Sequence, residues 1–185
     1  MKKTHSFRLV AVIAFAAVIS QSQAQLGDIS KGLTVNVTAA SLNADLFGGL
    51  DFFAKANEHF ATAMMPAKEA QEMITRLKSE NQDDRRQAVK DSTPLIEQAA
   101  KEAKAKGEAL SAQATEEIRK GQKEIGKGTA KWTAVGVSLG VVAKKGDGDA
   151  ALLAAIPVAQ EMLKDLPDLK RMNDTLKELK PLMKK

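Results

Sequence analysis

The chain has 185 residues, a formal net charge of +5, two histidines and no cysteine. Without cysteine it forms no disulfide and carries no cysteine-linked lipid. Only one histidine lies beyond the N-terminal segment, so zinc or copper ligands are scarce. The composition therefore favours a protein with no metal and no cofactor.

The first 24 residues have the layout of a secretory signal peptide. A basic segment (MKKTHSFR) precedes an apolar run of 11 residues, and Ser22 and Ala24 are small residues at the positions that signal peptidase recognises. The apolar run is shorter than the ~20 residues that a membrane-spanning helix needs. We expect cleavage after Ala24 and a periplasmic or secreted protein in which residues 25–185 form a single helical domain.

Export changes the charge balance of the chain. Lys2, Lys3 and Arg8 lie in the signal segment, so 25 of the 28 basic residues remain beside all 23 acidic ones, a net charge of +2. A nearly balanced chain has no long-range field that would hold a polyanion. We therefore expect no nucleic-acid partner.

Residues 26–44 give the weakest pattern, in which Leu33, Val35 and Val37 alternate with polar residues but no second strand follows. We interpret them as extended or partly helical. Residues 45–64 predict an amphipathic helix because apolar residues recur every three or four positions. One face of it carries Leu46, Leu50, Phe53, Asn57, Phe60 and Met64.

Four of the five aromatic residues beyond the signal segment lie on this helix: Phe47, Phe52, Phe53 and Phe60. Large rings contribute most to burial energy, each fully buried Phe giving roughly 1.5–3 kcal/mol. These residues therefore indicate a core anchor. A docking face for a partner is the alternative interpretation.

Pro66 can begin the next helix, and the polar segment 79–87 predicts a bend or a solvated face. Thr93-Pro94 predicts another helix start. From Ile96 the chain shows three eleven-residue repeats, IEQAAKEAKAK, GEALSAQATEE and IRKGQKEIGKG. Eleven residues in three turns predict a nearly straight apolar stripe along one long helix. In composition these repeats resemble those of lipid-associated and desiccation-related helical proteins.

Residues 129–163 predict an apolar hairpin, with apolar segments 129–143 and 150–163 around the polar turn KKGDGD and Asp149 as the second helix's cap. Trp132 to Ala143 as a helix spans about 18 Å, less than the ~30 Å hydrocarbon core of a bilayer. One destination is a bundle core, where Gly136 and Gly140 permit close helix packing. The other is a lipid surface contacted by Trp132, Val137 and Val141.

The last segment predicts an amphipathic helix that Pro167 begins, with Leu169, Met172, Leu176, Leu179 and Met183 as its seam. Taken together, the elements predict an all-α protein. We expect an elongated antiparallel bundle of about four to six helices after a cleaved signal peptide.

Three motifs imitate catalytic or ligand-binding sites. Residues 136–140 (GVSLG) fit G-x-S-x-G, but no histidine follows Ser138 as that hydrolase order requires. Residues 121–129 nearly fit a phosphate-binding loop, with the hydroxyl displaced by one position. Asp147-Gly148-Asp149 begins like a calcium loop, but Ala151, Leu152 and Val158 stand where a ligand, a glycine and a glutamate are needed.

The sequence thus predicts an exported, non-enzymatic protein that acts by helix-mediated contact with another envelope protein or with itself. The alternative is a membrane-active protein that uses residues 129–163 to bind a lipid surface or form a pore.

Overall fold

The computed structural model describes residues 37–145 and 148–183, and this part of the chain is all-α, with no strand. The prediction of an all-α fold is confirmed there, whereas the predicted signal peptide lies outside the described residues. The helices are α1 (Ala39–Met64), α2 (Ala67–Leu77), α3 (Gln82–Lys106), α4 (Ala112–Lys145), α5 (Ala150–Leu163) and α6 (Leu166–Lys177), followed by a short 3-10 turn (Lys180–Leu182).

Helix α1 begins six residues before the predicted start because Thr38 caps it. The Thr38 hydroxyl accepts a hydrogen bond from the backbone N–H of Ser41, and the Ser41 hydroxyl accepts one from the backbone N–H of Thr38. This reciprocal pair satisfies backbone donors that a helix start leaves open. The predicted inner face of α1 is confirmed as far as Phe60, and Met64 at its end is half-buried. The buried residues of this face are Leu46, Leu50, Phe53, Asn57 and Phe60.

Helices α1 and α4 run antiparallel and form the centre of the core. The Trp132 indole N–H, in the second half of α4, donates to the carbonyl of Leu46 in the first half of α1. His59 contacts Glu117 near the opposite ends of the two helices. Helix α1 also contacts α2, α3 and α5, so most of the core surrounds it.

The prediction that a helix starts at Thr93-Pro94 is wrong, because α3 begins at Gln82 and Pro94 lies inside it. The Asn81 side chain accepts hydrogen bonds from the N–H groups of Asp83 and Asp84 and so caps the helix. The carboxylates in this first turn also face the positive end of the helix dipole.

A buried polar cluster joins α1 to α3 at the two residues that directly precede Pro94. Asn57 donates from Nδ2 to the hydroxyls of Ser92, at 2.8 Å, and Thr93, at 3.2 Å. Both hydroxyls donate to the carbonyl of Val89. Asn57 thus lies opposite the middle of α3, while Asp51 pairs with Arg85 nearer its start, which shows that α1 and α3 run in the same direction.

The prediction of one long helix through the eleven-residue repeats is also wrong. Gly107 has φ +67° and ends α3 in the left-handed conformation, which glycine adopts without the steric penalty of a Cβ. Helix α4 begins at Ala112. In the linker between α3 and α4, the Leu110 N–H donates a hydrogen bond to the carbonyl of Leu182 in the 3-10 turn. Ile96, Ile118 and Ile125 of the predicted stripe are nevertheless buried.

The apolar segment 129–143 is not a short helix of its own, as the hairpin interpretation had it, but the last part of the 34-residue helix α4. The predicted cap of the following helix is confirmed, since Asp149 accepts from the N–H of Leu152 at 2.7 Å. Helix α5 contacts α1 more extensively than α4. The two apolar segments therefore do not chiefly pack on each other.

Helix α6 packs on α3, and Leu169, Met172 and Leu176 of its predicted seam are buried. The predicted helix is too long, because α6 ends at Lys177, and buried Leu179 and half-buried Met183 lie beyond its end. Ion pairs run along this contact. Arg86 pairs with Asp165 at 2.8 Å, Arg171 with Glu97 at 3.0 Å and Lys104 with Glu178 at 2.7 Å.

Candidate interaction surfaces

Two of the four predicted aromatic anchors lie in the centre of the core. Phe53 and Phe60 are fully buried on the inner face of α1. Phe53 meets Trp132 edge to face, with ring centroids 4.7 Å apart and planes at 76°. Such a pair contributes about 0.5–1.5 kcal/mol beyond the area it buries. These residues act as core anchors in this structure and present no docking face.

Glycines let α1 and α4 approach closely around these rings. A Cβ built on Gly49 would lie 2.2 Å from the Trp132 ring, one on Gly121 2.3 Å from Phe60, and one on Gly128 2.8 Å from Phe53. Each glycine therefore provides the space that an aromatic side chain of the facing helix occupies. Gly121 and Gly128 belong to the segment that imitates a phosphate loop, and their packing explains the motif.

The other two aromatic anchors lie at the edge of the core. Phe47 is half-buried and packs against the core cluster. Phe52 is half-buried too, and the ammonium of Lys127 lies 5.3 Å from its ring centroid, close enough for a cation–π contact. The aromatic set thus divides into two buried and two partly covered rings.

The three residues assigned to lipid by the alternative hypothesis have different environments. Trp132 is 1 % exposed and donates its indole N–H to the Leu46 carbonyl at 2.8 Å. Val141 is half-buried, and only Val137, at 45 % exposure, is largely open to solvent. Contact between Trp132 and lipid would require α1 and α4 to separate.

The two glycines predicted to permit close helix packing, Gly136 and Gly140, also have different environments. Gly136 is buried, but Gly140 is exposed and a Cβ there would meet no atom within 4 Å. Gly140 therefore makes no close helix contact here. The sequence missed Gly49, Gly121 and Gly128, whose role depends on which aromatic ring faces them from another helix.

The outer face of α5 is apolar and open to solvent. Leu153 is 55 % exposed and Val158 47 % exposed, and Ala154 and Pro157 between them are exposed as well. No charged residue occurs from Ala150 to Gln160. The opposite side of the helix is in the core through Leu152, Ala155, Ala159, Met162 and Leu163. Exposed apolar residues are normal when scattered, but a group of neighbours is typical of an interaction site.

Neither Ser138 nor His59 has the surroundings of a hydrolase nucleophile or its base. Ser138 lies inside α4, which continues without a turn through this position, whereas a nucleophile elbow needs a strand before it and a helix after it. His59 lies on α1 with Nδ1 2.6 Å from Glu117 Oε2. Lys120 also donates a hydrogen bond to Glu117. The bond from Lys120, with a smaller effect from His59, holds the pKa of the Glu117 carboxyl below its usual value.

The remaining motifs have structural roles in the described part of the chain. Residues 121–129 are helical, so their N–H groups are engaged in α4 and form no phosphate cradle. Asp149 caps α5. No group of three or more His, Asp or Glu side chains is placed to hold a metal ion within 37–145 and 148–183. In the same ranges, every helix is too short or too polar to cross a membrane.

Glu97 is the carboxylate that links α3 to α6 from a buried position. Its side chain is 7 % exposed and receives hydrogen bonds from Lys101 at 2.5 Å and Arg171 at 3.0 Å. The bond from Lys101, helped by the one from Arg171, holds the pKa of Glu97 below its usual value although burial acts the other way. The contact is structural, because two cations neutralise the carboxylate.

The described residues define an all-α protein with an aromatic core between α1 and α4 and an apolar outer face on α5. Comparisons with protein-family models, with curated proteins and with solved structures find no match for the chain.

Proposed function

We propose that this protein is exported to the cell envelope and acts there by helix-mediated contact with another protein, without catalysing a reaction. The partner is a different envelope protein or a second copy of the chain. The proposal includes cleavage after Ala24, a periplasmic or secreted location, and an elongated bundle in which α1 and α4 are the antiparallel central pair.

The observation that carries the proposal is the outer face of α5, formed by Leu153, Ala154, Pro157 and Val158. Their spacing places anchors one helical turn apart, as in helices that bind an apolar groove of a partner. The area is small for a flat contact between two proteins. A groove that encloses the helix buries more of it, so we expect a concave partner surface.

A matched pair of surface positions tests the proposal. Leu95 on α3 is 46 % exposed, close to the exposure of Val158, but Asp91 and Gln98, about one helical turn before and after it, are polar. A photo-crosslinker at position 157 should give one adduct of defined mass in the envelope. That adduct should disappear with Leu153→Ser and Val158→Ser and persist with Leu95→Ser. Equal loss with Leu95→Ser, or no adduct at all, would contradict the proposal.

Lipid vesicles separate this function from the membrane-active alternative. Flotation of the purified protein with vesicles that contain anionic lipid, lost on Val137→Asp and Val141→Asp in a variant that still folds, would favour the membrane. We expect the protein to remain unbound. Dye release from the same vesicles tests pore formation, and we expect none.

A further inference from the structure

Methionine is the only sulfur-containing residue of this protein, because the chain has no cysteine. Of its seven methionines, Met1 lies outside the described residues. The other six divide by exposure into two groups of equal size. Met73, Met162 and Met172 are buried in the core, whereas Met64, Met65 and Met183 are half-buried at its edge.

The three half-buried methionines lie at one end of the bundle. Met64 is the last residue of α1 and Met65 is its C-cap. Because α1 and α4 are antiparallel, the end of α1 lies level with the start of α4. Met183 follows Leu182, whose carbonyl accepts the N–H of Leu110 just before α4 begins. The C-terminal turn is therefore attached to the same end of the bundle that carries the other two methionines.

This end of the bundle is closed by apolar side chains that solvent can reach. The three half-buried methionines pack against the core, and so do Leu110 and Leu182, which are also half-buried. A half-buried thioether contacts apolar neighbours and is open to a small solute in the folded protein. A buried thioether is reached only when the structure around it opens.

We propose that Met64, Met65 and Met183 form an oxidation site that controls how the C-terminal turn (Lys180–Leu182) attaches to the linker between α3 and α4. The oxidant is a peroxide. The sulfur lone pair forms an S–O bond with one peroxide oxygen while the O–O bond breaks. The departing oxygen takes the proton of the transferred one, so the products are a sulfoxide and, from hydrogen peroxide, water.

Oxidation changes the packing because a sulfoxide is polar where the thioether was apolar. The oxidised side chains lose free energy of contact with the core edge, and the hydrogen bond from Leu110 to Leu182 loses the packing around it. The turn then separates from the linker more often. Methionine sulfoxide reductases reverse this modification, so the attachment can be restored. The inference does not depend on a partner for α5.

The first test measures which methionines react in the folded protein. The protein is treated with hydrogen peroxide, and peptide mapping by mass spectrometry follows the gain of about 16 Da at each methionine. We expect the three half-buried methionines to oxidise at least about tenfold faster than the three buried ones. In urea the six should react at similar rates. Equal rates in the folded protein would overturn the proposal.

The second test measures the attachment of the turn through hydrogen exchange. Oxidation of the three half-buried methionines should speed exchange of the Leu110 amide about tenfold. The Trp132 indole N–H bonds Leu46 in the other half of α1, and its exchange should stay the same. Unchanged exchange of Leu110 in the oxidised protein would overturn the proposal.

Leucine variants separate the sulfur chemistry from general damage, because leucine keeps the apolar volume of methionine and is well tolerated in its place. In the triple variant Met64→Leu, Met65→Leu and Met183→Leu, peroxide should no longer change Leu110 exchange. Met162→Leu is the matched control at a buried position and should keep the full response. A response that persists in the triple variant would overturn the proposal.

Discussion

The ring of Phe60 lies directly against the backbone of Gly121, where a Cβ would come within 2.3 Å of it. The ring is fully buried, so it has no open space to move into. We expect Gly121→Ala to destabilise the protein by about 1–3 kcal/mol through overpacking.

For Gly126 on the same helix we expect the opposite effect of an alanine substitution on stability. Its Cβ position is open, so Gly126→Ala should stabilise the protein by about 1 kcal/mol through helix propensity alone. Urea unfolding followed by circular dichroism measures both variants. Stabilisation by Gly121→Ala would contradict the packing of Phe60 on Gly121, and destabilisation by Gly126→Ala would contradict the open position of Gly126.

Trp132 reports on the opening of the core, because it is the only tryptophan in the chain and is 1 % exposed. Its fluorescence should be blue-shifted and poorly quenched by iodide, and vesicles should change neither property. Trp132→Ala should cost about 3–5 kcal/mol of unfolding free energy. Strong quenching of the native protein would refute the buried position.

Glu97 predicts how stability depends on pH. Its pKa in the folded protein is lowered by Lys101 and Arg171, so its contribution is present above the unfolded value near 4.5 and is lost as the pH falls through the lower folded value. Between pH 7 and pH 3 the wild type should therefore lose more unfolding free energy than Glu97→Gln.

Glu102→Gln is the control for this experiment, since Glu102 is exposed on the same helix and, among the described residues, bonds only Gln98. It should keep the pH dependence of the wild type. If Glu97→Gln also keeps that dependence, the Lys101–Glu97–Arg171 contact does not couple folding to protonation.

Gly107 is the position where backbone conformation separates α3 from α4. Gly107→Ala should cost roughly 1–2 kcal/mol because the left-handed conformation brings Cβ close to the carbonyl oxygen. Gly140→Ala has no such conformation to maintain and should be neutral or stabilising. Thermal unfolding of the two variants distinguishes them, and equal melting temperatures would show that Gly107 tolerates a side chain.

Much of the fold follows from local patterns. The inner face of α1, the seam of α6 and the cap at Asp149 depend only on residues within a few positions of one another, and all three were predictable. The helix boundaries at Gln82 and Gly107 were not predicted. Pro94 indicated a later helix start than Gln82, and the eleven-residue repeat continues across Gly107 and indicated one unbroken helix. The signal from Asn81, a capping residue before two aspartates, was present in the sequence and was missed.

The interaction surfaces were less predictable than the helices. Periodicity places Leu153 and Val158 in an apolar segment, but it does not show which side of that segment the core covers. The four-residue spacing of Gly136 and Gly140 assigned both to one close contact, and only Gly136 is buried.

The sequence by itself determined that the chain is helical and which residues of several helices face inward, because backbone periodicity and capping are properties of neighbouring residues. Only the tertiary structure decided that Trp132 lies in the core, that Gly121 and Gly128 receive phenylalanine rings, and that α5 leaves one apolar side uncovered. Those features depend on which helices contact each other. Such contacts depend on how side chains from segments far apart in the chain fit together, and no single segment contains that information.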